Sequence, residues 1–169
     1  MNGFNVTMVP KEDEFLSEFY DARVEDIMDI RIWDLPLIEQ DESVTLVLSI
    51  LDGKTHVWVV EDMDSKRLVG VITRHDILHI LAPSPSKDSL FSVPTVHRGP
   101  EGTAADIMTR HPITCRPDEK VADALTKMIR HNIRRLAVVE DGIITGELTL
   151  RNLISKYYKA TQYHPLAGE

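Results

Sequence analysis

The feature that most limits what this chain can fold into is an internal duplication. Asp26-Ile27-Met28 returns as Asp106-Ile107-Met108, and Asp41-Glu42-Ser43-Val44 returns as Asp118-Glu119-Lys120-Val121. Further along, Val57-Trp58-Val59-Val60-Glu61-Asp62 matches Leu136-Ala137-Val138-Val139-Glu140-Asp141. The last pair is Gly70-Val71-Ile72-Thr73-Arg74-His75-Asp76 and Gly146-Glu147-Leu148-Thr149-Leu150-Arg151-Asn152. The blocks keep their order, so the chain carries one supersecondary unit twice, and each copy must bury its apolar face against a neighbour.

Within each copy the apolar period switches between strand-like and helical, which predicts a β-α-β-β-α unit and an α/β (α+β) fold class. The second copy is clearer. Pro112-Ile113-Thr114-Cys115 is a short extended piece. From Asp118 to Met128, Val121, Ala124, Leu125 and Met128 recur at spacings of three and four, the stripe of a helix packed on a sheet. Leu136 to Val139 is a short run rich in β-branched residues, and Asp141-Gly142 predicts a tight hairpin into Ile143 to Leu148. In the first copy the same hairpin, from Val57–Val60 to Leu68–Ile72, carries the longer connection Asp62 to Arg67.

These patterns divide the chain into an N-terminal extension (1–23), repeat one (24–82), a linker (83–103), repeat two (104–160) and a tail (161–169). The linker holds Pro83-Ser84-Pro85 and Gly99-Pro100 and is expected to be partly disordered. Glu12 to Met28 reads as one or two helices packed on a repeat, and the tail as frayed.

Composition removes several classes of function. With 19 basic and 27 acidic residues the net charge is −8, which disfavours nucleic-acid binding. No stretch approaches 18 uninterrupted apolar residues and no basic-then-apolar leader opens the chain, so a soluble, cytoplasmic protein is expected. The lone cysteine, Cys115, lies on an apparent core strand and reads as an apolar core residue, not a nucleophile. Gly53-Lys54-Thr55 imitates the end of a phosphate loop, but Leu48 stands where that loop needs glycine. The histidines form no zinc-protease pattern, and no nucleophile, base and orienting group come together. The chain is therefore expected to be no enzyme and to need no metal or other resident cofactor.

The chemistry concentrates where each copy closes on Gly-x-x-Thr-x-x-Asp/Asn, between a strand and a helix. Thr73 and Thr149 stand at the N-cap with Asp76 and Asn152 three residues on, as in a capping box. The first-turn amides, the threonine hydroxyl and the helix dipole make a seat for phosphate. Asp76 offers two acceptor oxygens to a vicinal ribose diol. Asn152 offers one, so the second site should be the weaker or prefer another ligand. Gly70 would let a ligand approach the strand. The plainer alternative is that both motifs are only helix caps, to which the basic residues Arg74, His75, Arg151 and the pair Arg134-Arg135 would be incidental.

Taken together, Asp-Ile-Met at each start, the Val-Val strand and Gly-x-x-Thr-x-x-Asp/Asn at each end resemble the cystathionine-β-synthase (CBS) domain family, whose paired copies form a Bateman module. The resemblance covers Val24 to Ala82 and Ala104 to Ala160. It implies two repeats about a pseudo-twofold axis, with two clefts between them that take AMP, ADP, ATP or S-adenosylmethionine. By position, Thr73 and Thr149 would meet phosphate, and Asp76 and Asn152 ribose. Leu37, Ile38, Val57, Ile113, Thr114 and Leu136 would line the adenine pockets. Arg134 and Arg135 would approach phosphate, with Thr55-His56 in their place in repeat one. The resemblance further implies a homodimer and a regulatory output through a separate effector protein. The alternative is a structural or dimerising protein with empty clefts. Trp58 and Ala137 stand where the family often has proline, and the bulk of Trp58 is expected to fill part of the first cleft.

Overall fold

A computed structural model of the chain describes residues 17–81 and 101–162. The expectations for residues 83–100 of the linker, for the stretch from Glu12 to residue 16 and for the tail beyond residue 162 fall outside these residues. The described part has mixed α/β architecture. Repeat one runs β1 (Leu37–Glu39), α1 (Val44–Gly53), β2 (His56–Val60), β3 (Leu68–Thr73) and α2 (Arg74–Leu81). Repeat two opens with α3 (Ala104–Ile107) and β4 (Thr109–Arg110). It then runs β5 (Thr114–Cys115), α4 (Val121–His131), β6 (Arg135–Glu140), β7 (Ile143–Thr149) and α5 (Leu150–Gln162). Both copies thus show the β-α-β-β-α order. One sheet is ordered β1-β2-β3-β4 and the other β5-β6-β7. β1 runs parallel to β2 and β5 to β6, each pair bridged by a crossover helix.

The helices begin and stop where local chemistry requires. Ser43 caps α1, its hydroxyl accepting the Leu46 N–H at 3.3 Å. α4 buries Val121, Ala124 and Met128, most of the stripe read from the sequence. It ends at Asn132, whose φ of 51° is left-handed and whose N–H reaches the carbonyls of Met128 and Ile129. The Asp141-Gly142 turn has φ of 51° and 85°, positive at both central residues as a tight two-residue hairpin requires. In the longer connection of repeat one, the Asp62 carboxylate instead accepts from the Asp64 and Ser65 amides and the Ser65 hydroxyl, an Asx turn.

The described residues form two compact units, and these cross the repeat boundaries. One comprises residues 17–30, 114–138 and 147–162, the other residues 31–81, 101–113 and 139–146. Each unit is the body of one repeat joined by the Asp-Ile-Met segment that leads the other. In the first, Val24 N–H donates to Glu119 O, Glu25 N–H to Pro117 O, and Val121 N–H to Ala22 O. In the second, Ala104 N–H donates to Glu42 O, Ala105 N–H to Gln40 O, and Val44 N–H to Gly102 O. These are the same three bonds under the alignment of the copies. The exchange continues along the sheet edges, where Asp29 bridges Glu147 and Thr109 pairs with Val71, again equivalent positions.

Each core follows from this exchange. Val24 packs with Val121, Ala124, Leu136, Val138 and Leu148, whereas Ala104 and Met108 pack with Ile38, Val47, Val57, Val59 and Ile72. Burying a valine or methionine side chain such as Val24 or Met108 stabilises by about 1.5–3 kcal/mol, so a leading segment contributes to the stability of the unit it joins. The tip of the β6–β7 hairpin also belongs to the second unit. There Leu68 N–H donates to Gly142 O and Ile144 N–H to Lys66 O.

Candidate functional site

At the β3–α2 turn, Asp76 Oδ2 accepts both the Thr73 N–H and the Thr73 hydroxyl at 2.7 Å. At the β7–α5 turn, Asn152 Oδ1 accepts the Thr149 N–H at 2.9 Å and the Thr149 hydroxyl, and the Asn152 N–H returns to Thr149 Oγ1 at 3.2 Å. The second motif is therefore a complete capping box, and the first shows the half in which the Asp76 carboxylate reaches back to Thr73. Because both Thr149 groups donate, the Asn152 atom they meet must be its oxygen, and its remaining polar group is the NH₂.

A third Thr-x-x-Asp shows how little the cap means alone. Thr103 N–H and hydroxyl donate to Asp106 Oδ2 at 2.8 and 3.0 Å, on a helix of only four residues. What sets the two repeat turns apart is the sheet beside them. His56 pairs with Thr73 across β2 and β3, and the carbonyl of the residue just before each central strand takes the first helical N–H. Arg74 N–H donates to Thr55 O at 3.4 Å and Leu150 N–H to Arg134 O at 2.9 Å. One of the amides expected to receive phosphate is thus already bonded in each copy.

Alternation along the strands sorts the remaining candidates by face. Ile38, Val57 and Leu136 are buried within the helix-covered cores, so their side chains are not open to a ligand and they offer only backbone groups there. On the other face of the first sheet stand His56, Trp58 and Thr73. Leu37, half-buried, pairs with Trp58 across β1 and β2. The His56 and Trp58 rings meet edge-to-face with centroids 5.2 Å apart, and both residues are buried, Trp58 to 2% exposure. Ala137 occupies the Trp58 position in the second sheet. Thr114 is half-buried and its carbonyl accepts Lys127 Nζ at 3.0 Å, whereas Ile113 is exposed.

Two predicted features have packing roles. A Cβ on Gly70 would lie 2.8 Å from Met108 Cγ, so the space a side chain would take is filled by methionine, not held open for a ligand. The Arg74 guanidinium donates to the carbonyls of Leu51, Asp52 and Lys54 at 3.0–3.1 Å, placing its charge at the C-terminal end of α1. Gly53-Lys54-Thr55 is a helix-to-strand connection, the reverse of a phosphate loop. Cys115 is buried, and burial together with the Glu119 carboxylate pushes its thiol up to about 12.

Electrostatically the two turns differ. Arg134 and Arg151 are exposed, but Arg135 donates from Nη1 to Glu147 Oε1 at 3.2 Å, and the Glu147 side chain is 9% exposed. Sequence reasoning missed Glu147. The available signal was a carboxylate inside a strand, where the other copy has Val71.

The chain matches the CBS domain family over residues 24–83 and 104–159. It belongs to the CBS domain family. Solved CBS pairs share its fold. CBSX2 in complex with AMP superposes with a TM-score of 0.64 at 24% identity, covering 82% of this chain and 98% of that one. The CBS domain pair of protein MJ0100, in complex with 5′-methylthioadenosine and S-adenosyl-L-methionine, gives a TM-score of 0.59 at 28% identity, covering 81% and 99%. Inosine-5′-monophosphate dehydrogenase of Nitrosopumilus maritimus (strain SCM1) is 26% identical over 117 residues, 69% of this chain. The chain spans 21% of the length of that relative. Among the described residues of this CBS pair no helix is long and apolar enough to cross a membrane, and no cluster of metal-ligating side chains occurs.

Proposed function

We propose that this CBS pair is a regulatory, non-catalytic module that binds an adenosine-containing ligand, AMP, ADP or ATP, at the Thr73–Asp76 and Thr149–Asn152 turns. The observation that carries this reading is the contrast with Thr103. The same cap recurs at the end of a sheet strand in both repeats, with His56 or Arg135 at the matching place on the neighbouring strand. Asp76 Oδ2 holds the cap, and Oδ1 is the acceptor for a ribose hydroxyl. Arg134 and Arg151 are exposed beside the second turn, and Asn152 in place of Asp leaves that turn the more selective of the two. The adenosine derivatives bound by the MJ0100 pair support the ligand class, and S-adenosylmethionine is the alternative ligand. Occupancy would act on an effector protein through differential affinity for two states.

Titration with AMP, ADP, ATP and S-adenosylmethionine while recording the melting temperature tests the proposal. A ligand at about a hundredfold excess over Kd stabilises by about 2.7 kcal/mol, a rise of about 5 to 10 °C for a chain of this length. Asp76→Ala should reduce the rise and keep the fold. No rise with any of the four compounds at millimolar concentration sinks the reading.

The second reading is self-association. Leu78 and Leu81 on α2 are 55% and 69% exposed, and Ile154 and Tyr158 on α5 are 58% and 61% exposed. Apolar helix faces of this kind suit a homodimer. Sedimentation of the intact chain against Leu81→Glu and Ile154→Glu decides it: the dimer reading requires dissociation by at least one variant.

A further inference from the structure

On the sheet face that carries Thr149 stand the charged residues Arg135 and Glu147, with Asp29 bridged directly opposite Glu147. Leu136, Val138 and Leu148 point into the core, so alternation puts Arg135, Ala137, Glu147 and Thr149 on the opposite face. Arg135 Nη1 and Glu147 Oε1 are 3.2 Å apart, and Glu147 is held at both backbone groups, its N–H donating to Asp29 O at 3.0 Å and its carbonyl accepting from Asp29 N at 2.8 Å. The carboxylate is therefore fixed two residues before Thr149 and little screened by solvent.

In the first repeat the same face carries His56, Trp58, Val71 and Thr73, with no carboxylate at the position of Glu147. A phosphate brought to Thr149 meets a buried carboxylate that already holds Arg135 in an ion pair. To pair with the phosphate, Arg135 must give up its contact with Glu147, and weakening an ion pair at so little-exposed a carboxylate is costly. A ligand without phosphate leaves the pair intact, and a cationic group would be welcomed by the carboxylate.

We infer that Glu147 is a specificity-determining residue of the second turn: by holding Arg135 it sets that turn against phosphate and in favour of adenosine compounds whose 5′ substituent is neutral or cationic. This rests on the reading that the turns bind adenosine compounds. It also gives the two turns different ligands, the nucleotide belonging to Thr73–Asp76.

The test is calorimetric titration of the intact chain carrying Asp76→Ala, which disables the first turn, with AMP and with 5′-methylthioadenosine, before and after Glu147→Gln. The expected result is tighter binding of 5′-methylthioadenosine than of AMP at the start. Glu147→Gln then strengthens AMP binding about tenfold, as Arg135 gains a charge-assisted contact, and changes 5′-methylthioadenosine by less than about twofold. The neutral compound doubles as the check that the fold is kept. Glu147→Val, the residue type of repeat one, should act in the same direction. An unchanged ratio of the two affinities overturns the role of Glu147 while leaving the ligand reading standing, as does equal weakening of both. Absence of binding by either compound in every protein overturns the ligand reading, and the inference with it.

Discussion

Met108 lies against the Cα of Gly70, so the methionine that ends the leading segment of one repeat is seated on a strand of the other. The glycine is required by this contact, since a Cβ would sit 2.8 Å from Met108 Cγ inside a close-packed core. Gly70→Ala is therefore expected to destabilise by about 1–3 kcal/mol, the usual cost of overpacking. Gly53→Ala, with nothing within 4 Å of the added carbon, should cost less than about 0.5 kcal/mol. Urea unfolding of the two variants checks this; equal costs would refute the packing role.

The exchange of leading segments predicts how the chain can be cut. A fragment of residues 24–82 keeps repeat one intact by sequence but lacks Ala104 and Met108, and should unfold without cooperativity. A fragment of residues 31–113 contains most of one compact unit and should keep far-UV circular dichroism and a cooperative transition. The reverse ranking would mean that the repeat, not the exchanged unit, is what folds.

Cys115 makes stability depend on alkaline pH. Its folded thiol is raised from the ordinary value of 9.0 to about 12, so the unfolded chain loses its proton first. The contribution to stability is complete below pH 9 and is lost progressively as pH rises from 9 towards 12. Cys115→Ala should flatten that alkaline limb in urea titrations. A thiol reagent should label the native protein at pH 8 only as fast as it unfolds.

Asn152→Asp converts the second turn to the carboxylate of the first. The cap survives, because Oδ1 can still accept the Thr149 N–H and hydroxyl, and the former NH₂ becomes an acceptor. The variant should bind adenosine itself several-fold more tightly, measured by calorimetry in an Asp76→Ala background, with a melting temperature within about 3 °C of the parent. A fall in affinity would contradict the assigned ribose contact.

Much of this was legible in the sequence, and the rest was hidden for identifiable reasons. The α4 stripe and the Asp141-Gly142 hairpin depend on local period and φ, which residue types encode directly. The caps at Thr73 and Thr149 are equally local. The exchange of Val24 and Ala104 between repeat bodies is not, since each copy offers the same apolar face and spacing alone does not say which partner takes it. For the same reason Ile38, Val57 and Leu136 could be placed near the turns but not assigned to a face. Glu147 reads as one polar residue in a strand, because its ion pair with Arg135 crosses to the neighbouring strand and the spacing along either strand does not encode it.

The reciprocal leading segments also impose an order on synthesis. Arg23 and its partner Asp118 are 95 residues apart, so as the chain leaves the ribosome the segment around Val24 waits for at least that many further residues before its sheet exists. The unit built on repeat one completes its sheet once residue 111 has emerged, apart from the hairpin tip at 139–146. During that interval the apolar side of Val24 is without the core it buries into, which is complete only when β7 and the start of α5 supply Leu148 and Leu153.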